Sequence, residues 1–198
     1  NGTSVVVFFL VSAGLPSTDT RIILQNALIG LLLLMTFMGG RIIAPAVAGT
    51  LEKKGIPLEA RVQPLIEGWL LAILPLAMVC ILFTATEKLA GLRLLAASLL
   101  IIVRVARWKL WHCTGRPELL VLAIGYLWLA AGAAVTGVHL VTGHALLPAL
   151  HLIAVGALGT LSCSVMLRLA WQRACRRFPP AWQVLVIAVL IALAGVCR

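Results

Sequence analysis

The chain has 198 residues, of which 62% are hydrophobic and only 11% charged, with a mean hydropathy of +1.11. A soluble domain carries about 25% charged residues, so this composition excludes an ordinary soluble fold and points to a bilayer. The formal charge of +10 does not mark a nucleic-acid binder, because the basic residues sit in short loops between apolar runs and form no single soluble patch.

Residues 5–15 form an apolar run too short to cross a membrane alone, expected as a partial span. No basic segment precedes it and no small-residue cleavage site follows it, so it does not read as a signal peptide. The expectation is a piece of a longer polytopic protein, cut inside a helix, with residues 1–198 forming one transmembrane domain. Pro16, Ser17, Thr18 and Asp19 read as a turn that caps the next helix. That helix is predicted over 22–38, with Gly39, Gly40 and Arg41 marking its end. A polar loop punctuated by Gly55 and Pro57 follows, carrying Glu52, Lys53, Lys54, Glu59 and Arg61.

The next span is predicted over 65–86, with Glu67 near one end and a kink at Pro75. Another covers 92–106, followed by a basic loop over 107–117 in which Trp108 and Trp111 are expected as interface anchors. The remaining spans are predicted over 119–138, 149–168 and 182–196. The predicted fold is all-α: a polytopic transmembrane helical bundle with six full spans and one partial N-terminal span. Alternation of the spans puts twelve Lys and Arg residues on one side, among them Arg41, Arg104, Arg116 and Arg168. Arg21, Lys88, Arg93 and Arg198 fall on the other. The excess of positive charge on cytoplasmic loops then places the twelve in the cytoplasm, with His139, His144 and the C-terminus outside.

Between His151 and Arg168 lie sixteen uncharged residues that include Gly156, Gly159, Thr160, Ser162, Cys163 and Ser164. Polar groups at membrane depth face other helices, a cavity or a ligand. His151 is a candidate ligand for haem iron or copper, set against a helix-end histidine that bonds a neighbouring helix. Gly156 and Gly159 suit a flat macrocycle lying on the backbone, although small residues more often serve close helix packing. His139, His144 and His151 make a candidate three-histidine copper site on the extracytoplasmic face, although spacings of five and seven match no known motif.

Other chemistry is sparse. His112 and Cys113 read as a solvated pair. The five cysteines include no Cys-x-x-Cys, so neither a zinc site nor a redox pair is signalled. Glu67 is a candidate proton relay without a visible partner, and Arg93 is expected to snorkel to the headgroups. No phosphate-binding loop, paired carboxylates or nucleophile–base arrangement is read in the sequence, so soluble-type hydrolysis and nucleotide-driven transport find no support.

The order of several motifs resembles the NnrS family. They are Met38-Gly39-Gly40-Arg41-Ile42-Ile43 with a nearby proline, then Arg107-Trp108, then Leu122 through Gly125-Tyr126 and Trp128 to Gly132. The last is His151 through Gly156, Gly159 and Thr160 to Met166 and Arg168. The resemblance spans about residues 37–173. It implies a multi-pass protein of the bacterial inner membrane, containing haem and copper and linked to the nitric oxide response. Family members have about twelve spans, so the resemblance makes this chain the C-terminal half, partnered by the bilayer and an N-terminal half. It also implies cofactor roles for His151, Gly156 and Gly159, with Arg41 pairing a haem propionate. Two histidines usual in the family correspond here to Ala123 and the neighbourhood of Arg173, and the proline is displaced to Pro45. His151 keeps its place. The alternatives are a cofactor-free transporter-like bundle using Glu67, Pro75 and the glycines, or a structural membrane partner.

Overall fold

The computed structural model describes residues 20–55, 63–113, 115–143 and 151–197. Among these residues there are six helices and no strand: α1 (Thr20–Glu52), α2 (Pro64–Ile81), α3 (Glu87–Arg107), α4 (Pro117–Thr142), α5 (Leu152–Cys175) and α6 (Ala181–Val196). Helix α5 opens as a π-helix over Leu152–Gly159 and continues as an α-helix over Thr160–Cys175. Short 3₁₀ turns follow α2 at Thr84–Thr86 and α3 at Leu110–Cys113.

Five of these helices, α1 to α5, are long and apolar enough to cross a membrane. Helix α6 is not. Its sixteen residues reach only about 24 Å at 1.5 Å per residue, short of a hydrocarbon core of roughly 30 Å. The expectation of a sixth full span is corrected accordingly, and the partial span expected over 5–15 lies outside the described residues. Large apolar side chains such as Leu65, Trp69 and Met166 stand exposed on the outer faces. Water would penalise that arrangement and a bilayer accommodates it. The protein is a multi-pass membrane bundle.

Helix α4 is the centre, packed against α1, α3, α5 and α6, while α2 lies outside against α1 and α3. Glycines set the crossings. A Cβ at Gly91 on α3 would stand 2.7 Å from the carbonyl oxygen of Gly137 on α4, and a Cβ at Gly137 would stand 2.8 Å from that of Gly91. The two backbones touch, as small residues permit where lipid offers no hydrophobic drive to associate. On the other side of α4, Gly132 receives Ile153 and Gly125 receives Leu161 of α5. Helix α4 ends where Gly143 turns left-handed at φ 75°, its N–H bonding the His139 carbonyl.

Several helix ends differ from those predicted: α3 already begins at Glu87, α4 runs to Thr142, and α5 continues past Arg168 to Cys175. Helix α1 does not stop at Gly39-Gly40-Arg41 but continues through Pro45 to Glu52. Helix α2 ends at Ile81, where Thr86 Oγ1 donates to the Cys80 carbonyl at 2.6 Å and secures the turn. The basic loops converge at one end of the bundle. There Lys54 Nζ donates to the His112 carbonyl at 2.7 Å, and Arg116 Nη1 donates to Thr50 Oγ1 at 3.1 Å.

Candidate functional site

The polar centre of the bundle is built on the two glycines read from sequence as a helix end. Without side chains at Gly39 and Gly40, the surface of α1 is bare backbone. The Tyr126 ring of α4 fills the space beside Gly39, and the Arg104 guanidinium of α3 fills the space beside Gly40; a Cβ would meet them at 2.6 and 2.1 Å. Arg104 Nη1 donates to the Thr36 carbonyl and to the Tyr126 hydroxyl oxygen, both at 3.3 Å. The Tyr126 hydroxyl itself donates to the Thr36 carbonyl. Arg104 Nη2 meets the Glu67 carboxylate of α2 in an ion pair. Trp108 closes the cluster, its ring centroid 5.3 Å from that of Tyr126, with the Arg104 guanidinium over its face at 5.6 Å.

Several expectations change here. Arg104, counted among the basic residues of the cytoplasmic side, is 2% exposed and belongs to the bundle interior. Trp108 is buried, so Trp111 alone of that pair is placed to sit at an interface. Glu67 has its partner. Arg93 does not reach outward but turns its guanidinium onto the Cys80 sulfur. Arg41 is exposed and lies over the Phe37 ring at 4.5 Å; it points away from the cluster that its neighbours Gly39 and Gly40 shape. The signal for the true pair was present. Glu67 is the fourth residue of α2 and Arg104 the fourth from the end of α3, so antiparallel packing puts them at one depth.

His151 stands at the start of α5, half-buried, with Nε2 3.1 Å from the Ala194 carbonyl oxygen of α6. A carbonyl only accepts, so Nε2 carries a proton, and in the neutral form of the ring Nδ1 holds the lone pair. The next turns form the π-helix, a local widening found often at functional sites. Its glycines are covered by protein. The Trp128 ring lies against Gly156, Ile191 against Gly159, and the Gly156 backbone adjoins Gly195. Thr160 Oγ1 donates to the Gly156 carbonyl at 2.6 Å.

His139 sits half-buried in the last turn of α4, at the same end of the bundle as His151, and His144 lies outside the described residues. Among the described residues no group of three His, Cys, Asp or Glu side chains is arranged to hold a metal. The family model described as "NnrS protein" matches residues 2–198. The chain belongs to the NnrS family. No curated protein and no solved structure matches it. In this NnrS chain the family-like motifs therefore mark two places: the Gly39–Gly40 surface that receives Arg104 and Tyr126, and the His151 end of α5.

Proposed function

We propose that this NnrS-family protein is a copper-associated protein of the bacterial inner membrane that relieves nitric oxide or nitrosative stress, with His151 as a metal ligand. The observation that carries the reading is the His151–Ala194 contact. Metal-binding histidines nearly always donate their second ring nitrogen to a carbonyl or carboxylate, which fixes the ring and leaves the other nitrogen free to ligate. His151 has that arrangement, with Nδ1 as the available donor. Copper bound there would supply a redox-active centre with affinity for small diatomic ligands, and imidazole suits it. His139 and His144 are the candidate further ligands.

Haem does not fit the same face. Gly156 and Gly159 were the positions for a flat macrocycle, and Trp128 and Ile191 occupy them. Arg41, the candidate propionate partner, is exposed on α1 over Phe37. The basic loops are assigned to the cytoplasm on the charge asymmetry; the C-terminus goes to the periplasm only if the sixteen-residue α6 crosses a locally thinned bilayer.

Copper content of the purified full-length protein tests the assignment. Wild type should retain copper, His151→Ala should lose it, and Arg41→Ala should match wild type. Copper retained in full by His151→Ala would remove the assignment. A strain lacking the protein should recover more slowly from a nitric oxide donor, and equal recovery would count against the physiological role.

The cofactor-free transporter reading draws on one observation, the Glu67–Arg104 pair within the bundle, since ionisable residues at membrane depth commonly mark transport paths. Substrate flux into vesicles that is lost in Glu67→Gln, from a protein free of copper, would favour it.

A further inference from the structure

Two cavities of about 390 and 440 Å³ lie side by side between α1 and α5. Both are lined by Ile42, Leu122, Val165 and Leu169, so they form one groove floored by α4. One end is apolar, with Met35 and Met38 of α1 facing Leu161 and Met166 of α5. The other end reaches Arg168 and Gln172. Met38, Ile42, Met166 and Leu169 are each about half exposed or more, so the groove opens sideways toward the bilayer.

Its length is set by the helices. Along α1 it runs from Leu34 to Ala46, roughly 18 Å at 1.5 Å per residue. One leaflet of a bilayer core is about 15 Å deep. The groove is therefore the length of one acyl chain, with a cation at its mouth.

The charge at that mouth is only partly compensated. Arg116 and Arg168 share the Phe178 ring, at 4.0 and 5.7 Å from its centroid. Arg116 pairs with Glu118 at 2.8 Å, and this one carboxylate also acts on Arg168. Arg168 has no hydrogen bond or ion pair among the described residues, and Arg116 Nη2 is buried without a partner. Two cations and one anion leave one net positive charge beside an acyl-length slot.

We infer that the α1–α5 groove binds an anionic phospholipid of the surrounding bilayer, its acyl chain along Met35, Met38 and Leu161 and its phosphate on Arg168. A free anion would leave the apolar length unfilled, and a neutral lipid would leave that net charge uncompensated. Basic pockets between membrane helices take anionic headgroups on these grounds, each cation near the surface contributing about a fivefold preference.

Native mass spectrometry of the full-length protein tests this, with phosphatidylglycerol and phosphatidylcholine of identical chains offered in detergent. Wild type should retain phosphatidylglycerol about fivefold or more over phosphatidylcholine. Arg168→Gln should reduce that preference severalfold, and Arg168→Lys should keep most of it. Leu169→Trp, which fills the groove, should lower retention of both lipids. Inorganic phosphate should not displace the bound lipid. Equal retention of the two lipids by wild type, or an unchanged preference in a folded Arg168→Gln protein, would overturn the proposal. So would displacement by phosphate alone, or occupation of the groove by a second copy of the chain.

Discussion

The Arg104 guanidinium, which lies against the bare backbone at Gly40, is neutralised by the Glu67 carboxylate of a neighbouring helix. Removing one member of a buried ion pair typically costs about 3–5 kcal/mol, because the other charge is left unpaired, whereas replacing both by apolar groups is often neutral. Arg104→Met should therefore destabilise the detergent-solubilised protein strongly. The Arg104→Met, Glu67→Met double variant should recover much of the loss. Thermal unfolding of the three variants measures the coupling, and simple additivity of the single effects would argue against the pair.

The glycines separate into two classes. A Cβ at Gly91 meets backbone, while one at Gly49 meets nothing within 4 Å. Alanine intrinsically favours a helix over glycine by about 0.5–1 kcal/mol, so Gly49→Ala should be neutral or slightly stabilising. Gly91→Ala should lower stability by about 1–3 kcal/mol, the range for overpacking a tight contact, since the opposing Gly137 carbonyl cannot rotate away. Melting temperatures of the two variants decide the point.

Much of this was legible in the sequence, and the failures share a cause. Composition and apolar run length located α2 to α5, because membrane crossing is a property of one segment, but missed their ends, placing that of α5 at Arg168 where the helix runs to Cys175. The role of Gly39 and Gly40 was not legible. Glycine followed by arginine is an ordinary helix end, and only the arrival of Arg104 and Tyr126, some sixty and eighty-five positions away, makes it an interior. Trp108 was misplaced for the same reason, since tryptophan after an apolar run looks like an interface anchor until Tyr126 is found beneath it. His151 was found in sequence as an imbalance of polarity, but its contact with Ala194 depends on how α6 folds back.

Cys113 gives a pH prediction. It is fully buried after α3, and burial pushes its thiol pKa up, an effect that Lys54 and Arg116 partly oppose. The thiolate is the reactive form, so Cys113 should alkylate far more slowly at neutral pH than exposed Cys175. The sign for stability follows: a pKa raised by folding stabilises below the unfolded thiol value and loses that contribution as pH climbs through the folded value. Stability should therefore fall on the alkaline side, and Cys113→Ser should flatten that fall. Peptide mapping after maleimide labelling, with unfolding measured across the alkaline range, checks both statements.

Cys175 and Cys197 flank α6 and are both exposed. If the chain crosses the membrane between them, as the charge asymmetry assigns, an impermeant maleimide applied to intact cells should label Cys197 and spare Cys175. Permeabilisation should then expose both. Equal labelling in intact cells would mean that α6, at sixteen residues, lies in the membrane without crossing it.

The central claim is that His151 presents Nδ1 to copper while Ala194 holds its other nitrogen. Electron paramagnetic resonance of the copper(II)-loaded full-length protein tests it most directly. The account predicts nitrogen hyperfine structure from imidazole in the wild type, lost or reduced by one nitrogen in a folded His151→Ala variant. An identical spectrum in the two proteins would contradict it.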